Sequence, residues 1–293
     1  KPKEITNPAV TATTTTSATL SWKKASEGTC SGYKIYVQDI TGGQLSLSYN
    51  SYVSSDKTTI IISNLTAGHK YKFDIRAYAA TAYNSTDSNE AYSTSTTVQQ
   101  SIRPNAVTGV SVSRSSSNTM TKLYVSWAKP ASGTYTGACI FYSTGTDLSE
   151  AKYAGDTSYT YYTITGLTGG TNYNVWVVAY AGDKPAESAI TGGTSLNTTA
   201  ASSVSCYTSP YSPTGLSCTS KTQTSVSLSW TKPSTGSVTG YRVYKKDITE
   251  GASSYTYVNY TTSTSYNVSV TAGHKYSFKV TSYLDTTSNE STP

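Results

Sequence analysis

Two histidines, His69 and His274, are the chain's candidates for acid–base chemistry or metal binding near neutral pH. They occupy the same position in two copies of one local sequence, Ala-Gly-His-Lys-Tyr, and a related third copy has Thr171 there. A catalytic histidine has no reason to recur at a turn. Serine is so frequent that a Ser/His/Asp match carries no information. We therefore interpret both histidines as structural and predict no catalytic residue.

Other patterns of catalysis or cofactor binding are missing from the sequence. There are 16 acidic residues, and they show no paired-carboxylate signature. We find no Cys/His metal spacing, no phosphate-binding loop and no glycine-rich dinucleotide fingerprint. The sequence therefore predicts a protein that is not an enzyme and that binds neither a cofactor nor a metal.

The histidines belong to a longer repeated stretch, which we predict to be a tight corner followed by a buried strand. Its copies are residues 65–78, 167–180 and 270–280. In the first copy, Tyr71, Phe73, Ile75 and Ala77 fall on every second position, as in a strand with one face in a core. The preceding glycine permits the positive φ of a corner. The buried tyrosine hydroxyl needs a partner, which an upstream backbone group can supply.

Two sets of aromatic residues repeat with one period. The tryptophans are about 104 residues apart and the corner tyrosines about 103: Trp22, Trp127, Trp230; Tyr71, Tyr173, Tyr276. This period predicts three copies of one unit of roughly 100 residues, each able to bury its own core around these markers. Short alternating runs, separated by turn residues every 8–12 positions, are typical of an antiparallel sandwich.

These motifs resemble fibronectin type III domains. The residues that carry the resemblance are the buried Trp on the second strand, Gly-Tyr-x-hydrophobic-Tyr on the third, and Leu-x-x-Gly-x-x-Tyr before the sixth. The copies depart from the pattern at Ala138 and Val270, through an insertion near residues 191–201, and by the lack of an obvious last strand in unit three. The resemblance implies an all-β protein of three tandem immunoglobulin-like antiparallel β-sandwiches in an extended string.

The predicted domains are unit one (1–102), unit two (103–208) and unit three (209–293), the last with its final strand missing or supplied elsewhere. The linkers, residues 101–105 and 208–213, are short and contain proline. Such linkers favour a semi-rigid arrangement.

The four cysteines fall at non-equivalent places in the repeats, which excludes one disulfide per unit. Cys206 and Cys218 flank the boundary between units two and three and could pair across it; the alternative is free or partly buried thiols. Cys139 aligns with Lys34 and Arg242 and is expected to point outward.

One candidate binding site emerges from the strand register of unit two. If Val175 and Val177 point inward, Trp176 and Tyr180 point outward, and Phe141 does so on the neighbouring strand. We predict that Phe141, Trp176 and Tyr180 form an exposed aromatic patch for protein or sugar contacts. The alternative is that lysine stems, the unit-two insertion or a neighbouring domain covers them. Units one and three have tyrosines there: Tyr36, Tyr78, Tyr244, Tyr283.

The composition indicates the cellular location of the chain and argues against some classes of partner. Charged residues are 13% of the total, about half the usual share, and the net charge is +6. No Lys/Arg stripe supports nucleic-acid binding, and no 18-residue apolar run supports membrane insertion. The chain opens at Lys1 without Met or a signal peptide. We expect a processed or excised piece of a larger exported protein, located outside the cell or on its surface.

The function predicted from these features is that of a non-catalytic structural or adhesion segment. It would act as a spacer or as a rod that binds protein or glycan on a surface. One alternative is an accessory module of a secreted polysaccharide-degrading enzyme. Another is a subunit of an extracellular filament assembled from copies of the chain by strand donation, with Lys1–Asn7 as a candidate donor.

Overall fold

The computed structural model describes residues 2–25, 27–79, 91–284 and 289–291. Each unit is built from two antiparallel sheets. In unit one, the first sheet has the order β1-β2-β5 and the second β4-β3-β6-β7, with β8 also paired to β6. The strands are β1 (Thr6–Thr13), β2 (Ala18–Lys23), β3 (Gly32–Asp39), β4 (Ser48–Ser54), β5 (Thr59–Ile62), β6 (Lys70–Ala79), β7 (Ala91–Tyr92) and β8 (Thr96–Ser101).

Unit two repeats this plan with sheets β13-β10-β9 and β12-β11-β14-β15, and β16 also pairs with β14. A 3-10 turn (Leu148–Glu150) precedes β12, and a short helix, α1 (Glu187–Thr191), follows β14 where the insertion near residues 191–201 begins. The strands are β9 (Thr108–Arg114), β10 (Leu123–Ala128), β11 (Gly137–Ser143), β12 (Lys152–Thr157), β13 (Tyr161–Ile164), β14 (Asn172–Tyr180), β15 (Thr198–Ala200) and β16 (Val204–Tyr207).

Unit three has sheets β17-β18-β21 and β20-β19-β22-β23. Among its described residues, β23 pairs with the last two residues of β22, and no strand pairs with that edge of β22 from Tyr276 to Ser282. The strands are β17 (Thr214–Lys221), β18 (Ser225–Thr231), β19 (Gly240–Asp247), β20 (Thr256–Thr261), β21 (Ser265–Ser269), β22 (Tyr276–Leu284) and β23 (Asn289–Glu290).

A tryptophan lies between the two sheets of every unit. Trp22, Trp127 and Trp230 are 4%, 6% and 5% exposed. In units one and three the indole meets the third-strand tyrosine edge to face, an arrangement that aromatic quadrupoles favour. Unit two has Ala138 in that tyrosine's place, and Trp127 Nε1 instead donates to the Tyr135 hydroxyl at 3.2 Å. Every core therefore contains an indole, but the tyrosine that contacts the indole comes from a different position in unit two.

The corner tyrosines hold their turns through the phenol oxygen. The backbone N–H groups of Thr66, Thr168 and Thr271 donate to the tyrosine hydroxyls at 2.8, 3.0 and 3.1 Å. The upstream backbone partner expected from the sequence is thus present in all three units. Tyr71 and Tyr173 are buried, whereas Tyr276 is half-buried because the neighbouring edge of β22 is open.

The corner of unit one docks on the loop between β10 and β11 of unit two. Thr134 N–H donates to Ala67 O at 2.9 Å, and Gly68 N–H donates to the linker at Arg103 O, at 3.1 Å. Gly68 has φ +73°, and a Cβ there would lie 1.9 Å from Thr134 O. This contact therefore needs glycine both for its backbone conformation and for the close approach.

The second junction repeats the first. Ser237 N–H of unit three donates to Gly170 O at 3.1 Å, and Gly170 N–H donates to the linker at Ser209 O, at 2.9 Å. The matching corner residue of unit three, Gly273, has φ +78° and no atom within 4 Å of an added Cβ. Unit three therefore has the same corner geometry without a docked neighbour among the described residues.

Candidate functional site

The predicted aromatic patch of unit two is on the outer face of its sheet, but it is not exposed. Phe141, Trp176 and Tyr180 are 0%, 6% and 8% exposed. They form a second hydrophobic cluster with Cys139, Val178 and Ile190, and Leu148 packs against its edge. The prediction of an exposed patch is wrong because α1 and the 3-10 turn fold over this face. The cover is made by α1 and the 3-10 turn, so it lies next to the insertion near residues 191–201 that the sequence allowed as one alternative.

A polar cluster lies beside this cover. Lys184, just before α1, donates to the Tyr153 hydroxyl at 3.0 Å and to Asp156 Oδ1 at 3.1 Å, and Tyr153 also donates to Asp156. Burial and the Asp156 carboxylate raise the pKa of Tyr153 to about 12, so the phenol stays protonated. These contacts join the loop that leads into α1 to strand β12.

All four cysteines are free thiols. The predicted Cys206–Cys218 bridge is absent because the two side chains belong to different environments. Cys206 packs against the core of unit two, and Cys218 is exposed on β17 of unit three. Cys139 is on the outer face, but it is fully buried there. Burial and nearby carboxylates raise the pKa of its thiol to about 12, which leaves little reactive thiolate at neutral pH.

Unit one exposes the face that unit two covers. Tyr36 meets Tyr49 edge to face at 5.9 Å between ring centroids, and Tyr52 meets Tyr78 at 5.6 Å. Tyr49 and Tyr52 are 57% and 47% exposed. The Arg76 guanidinium lies 4.7 Å from the Tyr36 ring centroid, close enough for a cation–π contact. We call these rings and the cations above them the tyrosine face of unit one.

Unit three repeats the arrangement. Tyr244 meets Tyr257, and Tyr260 meets Tyr283, each at 5.8 Å between centroids and edge to face. The Lys279 ammonium lies 4.4 Å from the Tyr244 centroid. This is the tyrosine face of unit three. Both faces therefore combine partly exposed phenols with side-chain cations, while the equivalent face of unit two is apolar and sealed.

Sequence reasoning did not identify the exposed member of each tyrosine pair. Tyr49 and Tyr52, like Tyr257 and Tyr260, are three positions apart, which breaks the period of two expected for one face of a strand. A register shift in each hairpin restores a common face: Ile35 pairs with Ser51, but Tyr36 pairs with Tyr49. The extra residue of a β-bulge produces this shift. The repeated Tyr-x-x-Tyr spacing was the available signal.

The two histidines stabilise corners. His69 Nδ1 lies 2.9 Å from Asp39 Oδ2, and His274 Nδ1 lies 2.9 Å from Asp247 Oδ2. Partial burial raises the pKa of Asp247, but hydrogen bonds from His274, from the Tyr276 hydroxyl and from the Glu250 backbone outweigh it and lower that pKa to about 2. The histidines are thus engaged with the strand end that carries Asp39 or Asp247.

The described residues contain neither a candidate metal cluster nor a helix that could span a membrane. No three His, Cys, Asp or Glu side chains among them are grouped closely enough to hold a metal ion. No helix in that part of the chain has the length and apolar character needed to cross a membrane.

Comparison with known families matches the fibronectin type III domain over residues 2–94, 105–192 and 211–293. The chain belongs to the fibronectin type III family. The predictions of an all-β fold and of three tandem domains are thereby confirmed. A curated relative of these fibronectin type III domains is Exoglucanase B of Cellulomonas fimi, 29% identical over 270 residues. That match covers 88% of this chain but 23% of the relative's length.

Solved structures with similar folds are themselves arrays of fibronectin type III domains. A two-domain segment of chicken tenascin is 19% identical and covers 69% of this chain and 97% of its own, with a TM-score of 0.36. The FN1–FN3 domains of chicken CNTN1 are 14% identical and cover 100% of this chain and 96% of their own, with a TM-score of 0.32.

The cover of unit two can be tested by thiol labelling of Cys139. Ile190→Ala removes the buried anchor of α1, and such truncations cost roughly 2–5 kcal/mol. Because α1 shields Cys139, we expect the labelling rate to rise at least about tenfold. The rate is measured by mass spectrometry at pH 8. Ile61→Ala, at a position that is 63% exposed, is the matched control and should leave the rate unchanged. Equal rates in the wild type and Ile190→Ala would contradict the covering role.

The corner of unit three should lose stability in acid. A carboxyl with a folded-state pKa of about 2 and an unfolded value of about 3.9 contributes stability above pH 4 that disappears as the pH falls towards 2. Asp247→Asn removes this titration, so its free energy of unfolding should vary less over that window than the wild type's. Urea unfolding followed by tryptophan fluorescence at pH 5 and pH 2.5 measures the difference. Parallel pH dependence in the two proteins would refute the assignment.

Proposed function

We propose that the chain is a non-catalytic, extracellular segment that holds tyrosine-bearing surfaces at set positions within a larger polysaccharide-active protein. The observation that carries this proposal is the repetition of one docking contact at both junctions, made by the Gly68 and Gly170 corners. Each joins backbone to backbone and includes the linker, so each leaves the domains little freedom to pivot. A segment of this kind spaces and orients whatever it connects.

The similarity to Exoglucanase B supports the polysaccharide setting. The matched region spans most of this chain but less than a quarter of that enzyme, as expected for an accessory segment that one protein shares with another. By its name, an exoglucanase acts on a glucan. The low proportion of charged residues, 13%, fits a location outside the cell.

The tyrosine faces give this segment a contact role besides spacing. Tyr49 and Tyr257 each present more than half of their surface to solvent, on sheet faces that face away from the core. A phenol offers a flat apolar ring together with a hydroxyl at its edge, which suits the mixed surface of a sugar. Because Tyr49 and Tyr257 have most of their surface in solvent, they suit an extended polymer that lies along the sheet.

Assembly of copies by strand donation is the second candidate, and the open edge of β22 favours it. In unit one, β8 pairs with β6 through six residues, from Thr96 opposite Ile75 to Ser101 opposite Lys70. The matching stretch of unit three has no strand beside it in the described part of the chain, and Phe278 is more exposed than Phe73. An extended segment could add main-chain hydrogen bonds there.

The donor considered from the sequence, Lys1–Asn7, is already engaged in unit one. Ile5 is 2% exposed within that unit's core, and Thr6 begins β1 opposite Lys23. Lys1 lies outside the described residues. A donor would therefore come from another segment.

Rigid coupling of the domains can be tested with a matched pair of glycine substitutions. Gly68→Ala places a Cβ against Thr134 O, whereas Gly273→Ala, with nearly the same φ, meets open space. Both carry the backbone cost of a positive φ, but the first alone should break a junction. We expect small-angle scattering to give a broader interatomic distance distribution for Gly68→Ala and an unchanged one for Gly273→Ala. Identical curves for both variants would count against a spacing role.

Light scattering after size exclusion tests strand donation. A constant mass of 31.1 kDa over a wide concentration range would end the assembly hypothesis. If donation occurs, the mass should rise with concentration, because association follows mass action. A synthetic peptide of residues 96–101 should then compete and return the mass to the monomer value. A scrambled peptide of the same composition is the control.

A further inference from the structure

One position on the outer sheet face has a different side chain in each unit, and the three side chains differ in charge. The residues that pair directly with Tyr36, Phe141 and Tyr244 on the next strand are Asp74, Trp176 and Lys279. The same place therefore holds an acid in unit one, an indole in unit two and a base in unit three.

In unit one, the acid neutralises the face locally. Asp74 is 0% exposed, pairs with the Arg76 guanidinium at 2.7 Å and accepts the Thr96 backbone N–H at 3.1 Å. The Arg76 guanidinium over the Tyr36 ring is thus neutralised by Asp74 on the same strand. In unit two, Trp176 is buried under α1, and the face meets no solvent at this position.

In unit three, the position holds a cation without a carboxylate. Lys279 Nζ lies 4.4 Å from the Tyr244 centroid and 5.4 Å from the Tyr255 centroid. None of the ion pairs formed by described residues includes Lys279. Lys246, two residues beyond Tyr244 on the same face, has its Nζ 3.4 Å from Ser253 O, again without a carboxylate partner. Two ammonium groups on this sheet face therefore have no counter-charge from the described residues, and one of them lies over tyrosine rings.

We propose that the tyrosine face of unit three binds an acidic polysaccharide, one whose sugar rings carry carboxylates. Charge complementarity favours an acidic ligand. A lysine ammonium that lies over a tyrosine ring still has N–H groups that can donate hydrogen bonds to a carboxylate, and it is less hydrated there than in open water. The exposed tyrosine rings favour a ligand made of sugar rings. Tyr257 is 56% and Tyr255 38% exposed, and each offers a flat surface beside the lysines. This inference rests on the proposed function and adds the class of ligand.

The test is native electrophoresis of the full chain in gels that contain polygalacturonate, with dextran gels as the neutral reference. We expect polygalacturonate to retard the wild type and dextran to leave it unaffected. Lys279→Gln should weaken the apparent affinity about fivefold. Lys221→Gln makes the same charge change on exposed β17 of the other sheet and should have no comparable effect. Tyr257→Ala, which leaves the charge unchanged, should weaken binding by a similar factor.

Several results would overturn the inference. If polygalacturonate does not retard the wild type, there is no such site. If Lys279→Gln and Lys221→Gln lose equal affinity, or if Tyr257→Ala has no effect, the retardation reflects a diffuse attraction between a polyanion and a basic protein. Equal retardation by poly-glutamate would assign the face to acidic peptides instead. Circular dichroism confirms that each variant is folded. The domain-coupling experiment with Gly68→Ala does not depend on these gels, so the spacing role can survive if the ligand assignment fails.

Discussion

The hydrogen bond from a corner backbone amide to a tyrosine hydroxyl is the interaction on which the rest of the structure depends. In unit one it fixes the turn at Thr66 through Tyr71, and that turn places Gly68 in the left-handed conformation at the surface. The tyrosine's ring is in the core, and the glycine beside it contacts the next domain. One local bond thus connects the packing inside a sandwich to the geometry between sandwiches, and it occurs in every unit.

The core constrains one face of each strand and leaves the other free to diverge. Along β6, β14 and β22 the inward positions fill the space beside a tryptophan and are apolar, except for Ser282, which takes the place of Ala77 and Ala179. The outward position represented by Asp74, Trp176 and Lys279 carries no such requirement, because it contributes nothing to the space between the sheets. Three units with one fold therefore hold, at this one position, an acid paired with Arg76, a buried indole and a lysine.

The sequence was sufficient for those features that depend on period and spacing. Tryptophans and tyrosines with a common period predict three cores and three corners, because burial imposes both the residue type and its alternation. The cover of unit two could not be predicted in this way. Helix α1 has five residues and one buried side chain, Ile190, too short a stretch for helical periodicity to appear. The bulge that places Tyr49 and Tyr52 on one face could not be predicted either, because it depends on hairpin geometry and not on the alternation of apolar residues.

The sealed face of unit two is consistent with its place in the array. Unit two is docked at both of its ends, through Thr134 at one junction and Gly170 at the other. Its insertion also reaches the first junction: Leu196 packs against the core of unit one, and Arg103 of the linker donates to Thr198 O at 2.7 Å. The segment that covers the aromatic face therefore continues into the segment that strengthens the first junction. Because Trp176 and Phe141 need that cover, one continuous segment couples the orientation of the first two domains to the shielding of an apolar surface.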